Sequence, residues 1–358
     1  MRIKIFLFLL CLFYFPAVAL ASENIRVVLE DNRRSVIISS GSGFIAESHS
    51  ISPDEKKLIF YASSTVSRPV RYRSSGDFIR VNGRSYRGWV EIRKKRNGLL
   101  MVINDLDVED YLLGVLASEI PPGWKYEALK AQAVAARTYA LYQKKTAGLR
   151  PYDIVATVNS QVYSGSEAER PREVRAVKDT KGLVIVYRGE IIPAFFHSSC
   201  GGQTENAAEL WGIDAPYLKG VDCECQLISQ YGLWEKRIST DKIMTAMRKQ
   251  GFNIKDVLGM NIRGVTPAGR VRDVAIRSSR GEFWIPAESL RAAIGTTLLP
   301  SVFFELEIEG NEAVFSGRGS GHGVGLCQWG AEEMAERGYD YKAILSHYYP
   351  GTNVVQLN

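Results

Sequence analysis

Hydrophobic and polar residues alternate along much of the chain between residues 22 and 103, and this pattern predicts β structure. In the segment GWVEIRK, Val90 and Ile92 share one face and the charged side chains share the other, as in a half-buried antiparallel strand. Asn-Gly pairs at positions 82–83 and 97–98 flank this strand, and such pairs are strong hairpin-turn signals. We therefore predict an N-terminal β-rich region over residues 22–103.

After this region, the spacing of hydrophobic residues changes to that of an amphipathic helix. The segment VEDYLLGVLASE predicts a helix that is capped by Asp107 and ends near Ser118, because the prolines at 121–122 cannot continue it. A second helix is predicted from about Lys125 to Lys145. Its many alanines leave a smooth surface, which would allow a neighbouring element to pack very closely.

The remainder of the chain mixes short strands with helices. Strands are predicted in GLVIVYRGEIIPAFFHSS, DVAIRSSRGEFWIP and FFELEIEGNEAVFSG, and helices in STDKIMTAMRKQG, GAEEMAERG and YKAILSHYY. This mixture has few long parallel crossovers. It predicts an α+β fold, with mixed helices and short antiparallel strands over residues 104–358.

The N-terminal segment MRIKIFLFLLCLFYFPAVALA is typical of a signal peptide over residues 1–21. It combines a basic start, an apolar core and a small-x-small cleavage site. An uncleaved membrane anchor is the alternative, although the apolar run is short for a span. Cys11 lies inside the apolar core, which is too early for lipidation. We therefore predict export to the periplasm or cell envelope.

Composition and charge limit the kinds of partner that the protein could bind. The chain is 46% hydrophobic and 23% charged, which suits globular domains with cores and excludes a disordered chain. Removal of Arg2 and Lys4 with the signal segment lowers the formal net charge from +6 to +4, and this mild basicity suits an anionic envelope polymer or membrane surface. No basic run is interleaved with aromatic residues, so a nucleic-acid partner is not predicted.

Four cysteines follow the signal segment, and they allow two interpretations. In an oxidising compartment, a disulfide from Cys200 to Cys223 or Cys225 is favoured, with Cys327 free or paired with the remaining cysteine. Alternatively, His197 and the first three cysteines could bind zinc. The Cys-x-Cys spacing is tighter than in zinc fingers, so we predict no cofactor and keep zinc as the alternative.

Glu119 and Arg137 stand out in the two predicted helices. Glu119 follows the carbonyl end of an apolar helix, where the helix dipole and apolar surroundings would raise its pKa. A carboxyl group that stays protonated near neutral pH suits a general acid for glycosidic cleavage. A solvated turn glutamate is the alternative. The Arg137 head could reach Glu119 or a substrate group, or form a structural salt bridge.

The segment SGRGSGHGVGLCQWGA is glycine-rich but lacks the Gly-Lys-Ser/Thr of a phosphate-binding loop. We interpret it as a tight backbone loop that presents His322. Trp211 and Trp329 could stack on sugar rings or pack in the core.

Seven ordered segments resemble the stage II sporulation protein D / amidase-enhancer LytB family. They are VEDYLLGVLASEIPPGW, EALKAQAVAARTYAL, SQVYSG, FFHSSCGGQTENAAELWG, PYLKGV, GSGHGVGLCQWGA and ILSHYYPGT. The resemblance implies that residues 104–358 form a sporulation protein D-like catalytic domain around a substrate cleft. It further implies a peptidoglycan lytic transglycosylase that cleaves the N-acetylmuramic acid–N-acetylglucosamine bond of peptide-stripped glycan strands. Non-catalytic enhancement of a cell-wall amidase is the alternative, and a structural protein that only holds glycan is a third.

The same resemblance implies residue roles. It identifies Glu119 as the catalytic glutamate and Arg137 as a functional arginine. The candidate substrate-binding residues are Tyr217, Lys219, His197, His322 and Gln132. A lytic transglycosylase needs one carboxylate, whereas a usual hydrolase needs two. The acids that precede the first helix are expected to be capping or solvated residues; they are Asp105, Asp107, Glu109 and Asp110.

Overall fold

The computed structural model describes residues 23–63, 68–157 and 160–357. Within these ranges, none of the helices is both long and apolar enough to cross a membrane. The predicted signal peptide lies outside the described residues.

The elements alternate in blocks along the chain. The first block is β1 (Asn24–Arg33), β2 (Ser35–Ser39), β3 (Phe44–Ala46), β4 (Lys57–Tyr61), β5 (Val70–Ser74), β6 (Ile79–Val81), β7 (Arg84–Tyr86), β8 (Trp89–Lys94) and β9 (Leu100–Asp107). The second is α1 (Val108–Glu119), α2 (Tyr126–Thr146), β10 (Ile154–Val155), α3 (Pro171–Asp179), β11 (Leu183–Tyr187), β12 (Glu190–Ile191), β13 (Phe196–His197) and α4 (Ala207–Trp211). The third is β14 (Trp234–Ser239), α5 (Thr240–Lys249), β15 (Gly259–Val265), β16 (Val271–Ser278), β17 (Gly281–Pro286), α6 (Ala287–Ile294), β18 (Phe304–Glu309) and β19 (Glu312–Gly317). The last is β20 (Leu326–Cys327), α7 (Gln328–Glu336), α8 (Tyr341–Tyr348) and β21 (Asn353–Gln356).

The fold class is α+β, as predicted. The N-terminal strands form a six-stranded sheet in the order β10-β1-β9-β8-β5-β3 and a four-stranded sheet in the order β4-β2-β6-β7. Both Asn-Gly turns are confirmed: they join β6 to β7 and β8 to β9. Asn82 and Gly83 both have positive φ, at 48° and 93°, as the tight hairpin turn requires.

Strand β9 runs through the predicted boundary at residues 103/104, so one continuous strand joins the two regions. The hydrophobic core also continues across this point, from the β-rich region into α1 and α2. A second core instead forms between Ile238 and Phe315, from β14 to β19 with α5 and α6. We call residues 228–325 the inserted region, because the chain leaves the main core before it and returns at β20.

Helices α1 and α2 hold the centre of the main core. Asp107 caps α1 as predicted, since its side chain accepts a hydrogen bond from the Glu109 N–H at 2.7 Å. The alanines of α2 are buried and let it pack against α1, α3, α7 and α8. Gly114 of α1 allows a similarly close approach, because a Cβ there would lie 2.7 Å from the Tyr163 ring. The segment carrying Val162 is thereby held against α1.

Candidate active site

A cleft of about 740 Å³ opens between the main core and the inserted region. The main core contributes Glu119, Tyr139, Ser160, Val162, Phe195, Phe196, His197, Ser198, Trp211 and Gln328. The inserted region contributes Gln230, Tyr231, Trp234, Lys236, Arg291, Thr296, Thr297, Pro300, Ser320, Gly321 and His322. The candidate substrate-binding residues His197 and His322 therefore share one cleft with the predicted catalytic glutamate.

Glu119 is the last residue of α1, and its carboxyl group faces the cleft from within closely packed protein. Burial raises its pKa to about 7, although the Val162 N–H and the Gln328 side chain favour the charged form and oppose this shift. The Val162 N–H donates to Glu119 Oε1 at 2.6 Å. The carboxyl group is thus fixed in position and can both give and take a proton near neutral pH.

His197 and His322 lie side by side, with ring centroids 5.4 Å apart. His197 Nδ1 donates to the Val324 carbonyl at 3.1 Å, so in the neutral ring Nε2 carries the lone pair. This Nε2 is buried and has no hydrogen-bond partner among the described residues. Burial lowers the pKa of both rings, that of His322 to about 4. Both histidines are therefore neutral polar groups at the cleft, not cations.

The Trp211 indole forms an aromatic wall at the end of α4. It packs 5.0 Å from the His322 ring and 4.8 Å from the Phe195 ring, between centroids. Its side chain is nevertheless 39% exposed. An exposed aromatic face beside a polar cleft can stack on a sugar ring. Trp329 instead packs against Trp124 at 5.1 Å and does not line the cleft.

Arg137 lies away from the cleft lining and forms a structural salt bridge, which was one of the two interpretations of its sequence position. The guanidinium is buried and pairs with Glu109 through two hydrogen bonds of 2.7 Å each. Its remaining donors bind the carbonyls of Leu183 at 3.2 Å and Val177 at 3.3 Å. Glu109 also accepts the Gly182 N–H at 3.0 Å, so it is not the solvated residue that the sequence suggested. The pair braces α1 and α2 against the segment that follows α3.

Three further substrate-binding candidates lie away from the cleft lining. Tyr217 packs its ring 5.1 Å from the Tyr187 ring, and Lys219 Nζ pairs with Asp214 at 2.5 Å. Gln132 is buried in α2, and its amide has no hydrogen-bond partner among the described residues. The structure therefore places only Glu119, His197 and His322 of the predicted set at the cleft.

Glu119 is the only carboxylate among the described residues that line the cleft. Asp105 is paired with Arg71 at 2.6 Å, and Asp107 caps α1. Asp110 lies 3.8 Å from Arg87. The acids near the start of α1 thus have partners of their own, at the opposite end of that helix from Glu119.

The four cysteines form one buried cluster rather than a disulfide pair. Their sulfur atoms all lie within 4.8 Å of one another, and all four are free thiols in the structure. His197 is not part of the cluster. The cluster therefore brings together the three cysteines of the zinc alternative and adds Cys327.

Sequence reasoning missed several cleft residues. Gln328 contacts the catalytic candidate from the first turn of α7, and Val162 binds it through the backbone. A backbone donor leaves no residue-type signal. Lys236 and Arg291 belong to the inserted region. The hydrophobic pattern there predicts a strand and a helix but does not indicate that either one borders a cleft.

The fold and the cleft define an α+β protein with a half-buried candidate acid at a cleft that opens beside the main core. The stage II sporulation protein family profile matches residues 96–187, and a domain of unknown function, DUF8618, matches residues 222–325. Stage II sporulation protein D of Bacillus subtilis is 31% identical over 273 residues, which cover 70% of this chain and 75% of that protein. The chain belongs to the stage II sporulation protein D family.

Two further relatives extend this comparison. An uncharacterised protein of Brachyspira hyodysenteriae is 36% identical over 266 residues, covering 73% of this chain and 70% of that protein. The amidase enhancer of Bacillus subtilis is 29% identical over 340 residues, covering 82% of this chain and 47% of that protein. The chain thus spans about half the length of the amidase enhancer.

We expect Glu119 to titrate near pH 7 in the folded protein. Its burial disfavours the carboxylate, so the proton should be held well above the range of an exposed glutamate. NMR of side-chain-carboxyl-labelled glutamate, with the Glu119→Gln variant to assign the signal, measures this midpoint. A midpoint in the ordinary glutamate range would show that the carboxyl group is well solvated.

Proposed function

We propose that this protein is a peptidoglycan lytic transglycosylase that acts on the N-acetylmuramic acid–N-acetylglucosamine bond of peptide-stripped glycan strands. The observation that carries the proposal is the lone cleft carboxyl group, Glu119, with a pKa of about 7. A usual glycoside hydrolase needs two carboxyl groups that flank the bond. One titrating group matches a reaction in which the same residue acts first as acid and then as base.

In the first step, protonated Glu119 donates its proton to the glycosidic oxygen as the bond from that oxygen to muramoyl C1 breaks. The N-acetylglucosamine unit leaves with a free hydroxyl group. In the second step, the muramoyl 6-hydroxyl oxygen attacks C1, and the Glu119 carboxylate takes the hydroxyl proton. The product is a 1,6-anhydro sugar, the acid is regenerated, and no water is consumed.

The other cleft groups have roles that suit a polar glycan that carries carboxylate groups. His197 Nε2 can accept a hydrogen bond from a sugar hydroxyl or amide, since it has no partner among the described residues. Trp211 offers a stacking surface. Lys236 places a positive charge on the side of the cleft that the inserted region forms. This charge would attract the lactyl carboxylate that peptide removal exposes on muramic acid.

We expect digestion of peptide-free glycan strands to release products that end in 1,6-anhydro-muramic acid. Mass spectrometry distinguishes these ends from reducing ends by the mass of one water. The Glu119→Gln variant is the control for contaminating glycosidases. Reducing ends as the main product would indicate hydrolysis and would require an activated water that the mechanism does not use.

The second candidate function is non-catalytic enhancement of a cell-wall amidase. The match of 82% of this chain to the amidase enhancer of Bacillus subtilis favours it. Here the cleft would bind glycan and present the wall to a separate amidase. Intact strands after incubation with the purified protein, together with faster cleavage by an added amidase, would support this function over the first.

Both functions require export. We propose that the protein acts in the periplasm or cell envelope, with glycan strands as its partner and with a cell-wall amidase as a second partner under the enhancer function.

A further inference from the structure

The buried cysteine cluster has the dimensions of a single-metal site. Four sulfurs at the corners of a tetrahedron around zinc, each about 2.3 Å from the ion, lie about 3.8 Å from one another. The four sulfur atoms here are within 4.8 Å of one another, and Cys200 Sγ is 3.4 Å from Cys225 Sγ. We propose that Cys200, Cys223, Cys225 and Cys327 bind one structural zinc ion.

The surroundings of the sulfurs support thiolate ligands. The backbone N–H of Cys200 donates to Cys327 Sγ at 3.2 Å, and that of Gly330 donates to the same sulfur at 3.4 Å. Cys327 also caps the N-terminus of α7, where the helix dipole favours negative charge. Hydrogen bonds of this kind orient metal-bound thiolates and stabilise their charge.

Two hydroxyl groups complete this outer layer. Tyr348 Oη lies 3.2 Å from Cys223 Sγ, and Ser199 Oγ lies 3.5 Å from Cys225 Sγ. Each hydroxyl can donate to a thiolate. The buried Arg270 guanidinium donates to the Cys200 carbonyl at 2.8 Å. Four thiolates carry more negative charge than one zinc ion neutralises, and the guanidinium places a positive charge beside them. The chemistry is therefore that of a closed, all-sulfur structural site.

Gly330 shows that the backbone is shaped around the cluster. A Cβ at this position would lie 2.4 Å from Cys223 Sγ and 2.0 Å from Tyr348 Oη. Only glycine lets the first turn of α7 come this close to the 223–225 segment. A pair of disulfides would not need all four sulfurs at one point, because each bond joins two sulfurs at about 2.05 Å independently of the other pair.

The position of the cluster gives the ion a mechanical role. Cys223 and Cys225 lie just before the inserted region, and Cys327 lies two residues after it. Cys200 belongs to the main core next to β13. The ion would clamp both ends of the inserted region to the main core, and thereby set the width of the cleft. It would also fix the start of α7, from which Gln328 contacts Glu119.

The test is the metal and thiol content of the protein purified without added metal or chelator. We expect about one zinc per chain by elemental mass spectrometry, as for a closed four-ligand site. Iodoacetamide should leave the four cysteines unmodified in the native protein and should alkylate all four after denaturation with a chelator and no reductant. Cobalt substitution should give the visible absorption bands of a tetrahedral thiolate site.

Matched variants locate the ligands. Cys223→Ser and Cys327→Ser should lower zinc content several-fold, and Ser35→Ala, at an exposed position of β2 outside the cluster, should keep it. If the cysteine variants do not fold, the cobalt spectrum of the unaltered protein shows whether the four thiolates bind a metal ion. Fewer than four alkylated cysteines without reductant, iron in place of zinc, or four free thiols that do not retain added zinc would each overturn the proposal. These readouts do not depend on glycan cleavage, so they stand apart from the proposed activity.

Discussion

Replacing Glu119 with glutamine is expected to abolish glycan cleavage while leaving the fold intact. Glutamine has nearly the same shape and can still accept the Val162 N–H at its side-chain oxygen, but it has no proton to give to the leaving group. A positioned general acid–base contributes about 10²- to 10⁴-fold in rate, and here one residue performs both transfers. We therefore expect a loss at or beyond the upper end of this range, measured as the release of soluble glycan fragments.

The stability of this variant provides an independent check. Because burial raises the pKa of Glu119 to about 7, the folded state holds the proton more tightly than the unfolded state does. Stability from this group is present at low pH and decreases as pH rises toward 7, since the carboxylate must then be buried in the folded state. Glu119→Gln removes this cost, so above pH 7 its melting temperature should equal or exceed that of the unaltered protein.

Glu235→Gln is the matched control. Glu235 lies on β14 between two cleft residues, but its side chain is 57% exposed and pairs with Arg237. It should keep both activity and melting temperature. A folded Glu119→Gln variant that cleaves glycan at the normal rate would remove Glu119 from the mechanism and would require another group, or a contaminating glycosidase, as the source of cleavage.

The parts of the fold that sequence predicted are those set by local signals. Asp107 caps α1 because a side-chain oxygen satisfies a free backbone N–H, and that need is local. The Asn82-Gly83 turn is likewise fixed by the backbone conformations that these two residues accept. The position of Glu119 at the end of α1 followed from the prolines that terminate the helix.

The parts that sequence did not predict depend on which segments meet in space. Cys200 and Cys327 are far apart in sequence, and only the parallel pairing of β13 with β20 brings their segments together. That pairing rests on two residue pairs, Phe196 with Leu326 and His197 with Cys327, too few for a sequence period to reveal. The partner of Arg137 was also not predictable from local sequence, because Glu109 lies on a different helix. Its position in the first turn of α1 is typical of a solvated residue.

Arg137 is therefore expected to act on stability rather than on the chemical step. Arg137→Met leaves the Glu109 carboxylate without its partner and frees the carbonyls of Leu183 and Val177. Removal of one member of a buried ion pair costs about 3–5 kcal/mol. Because the Glu109 side chain is 18% exposed, we expect the free energy of unfolding to fall by about 3 kcal/mol, at the lower end of that range. Urea unfolding measures this change.

A double-mutant cycle distinguishes a stabilising role of the Arg137–Glu109 ion pair from a catalytic role of Arg137. Glu109→Leu combined with Arg137→Met should cost less than the sum of the two single changes, because the buried charges are then removed together. Arg237→Lys is the control: this arginine is 47% exposed, and an exposed ion pair contributes at most about 1 kcal/mol. Arg137→Lys assayed well below its melting temperature should keep most of the turnover rate, since its guanidinium contacts Glu109 and backbone carbonyls rather than the cleft. A collapse of turnover with unchanged unfolding would instead show that Arg137 acts on Glu119 or the glycan in a conformation other than this one.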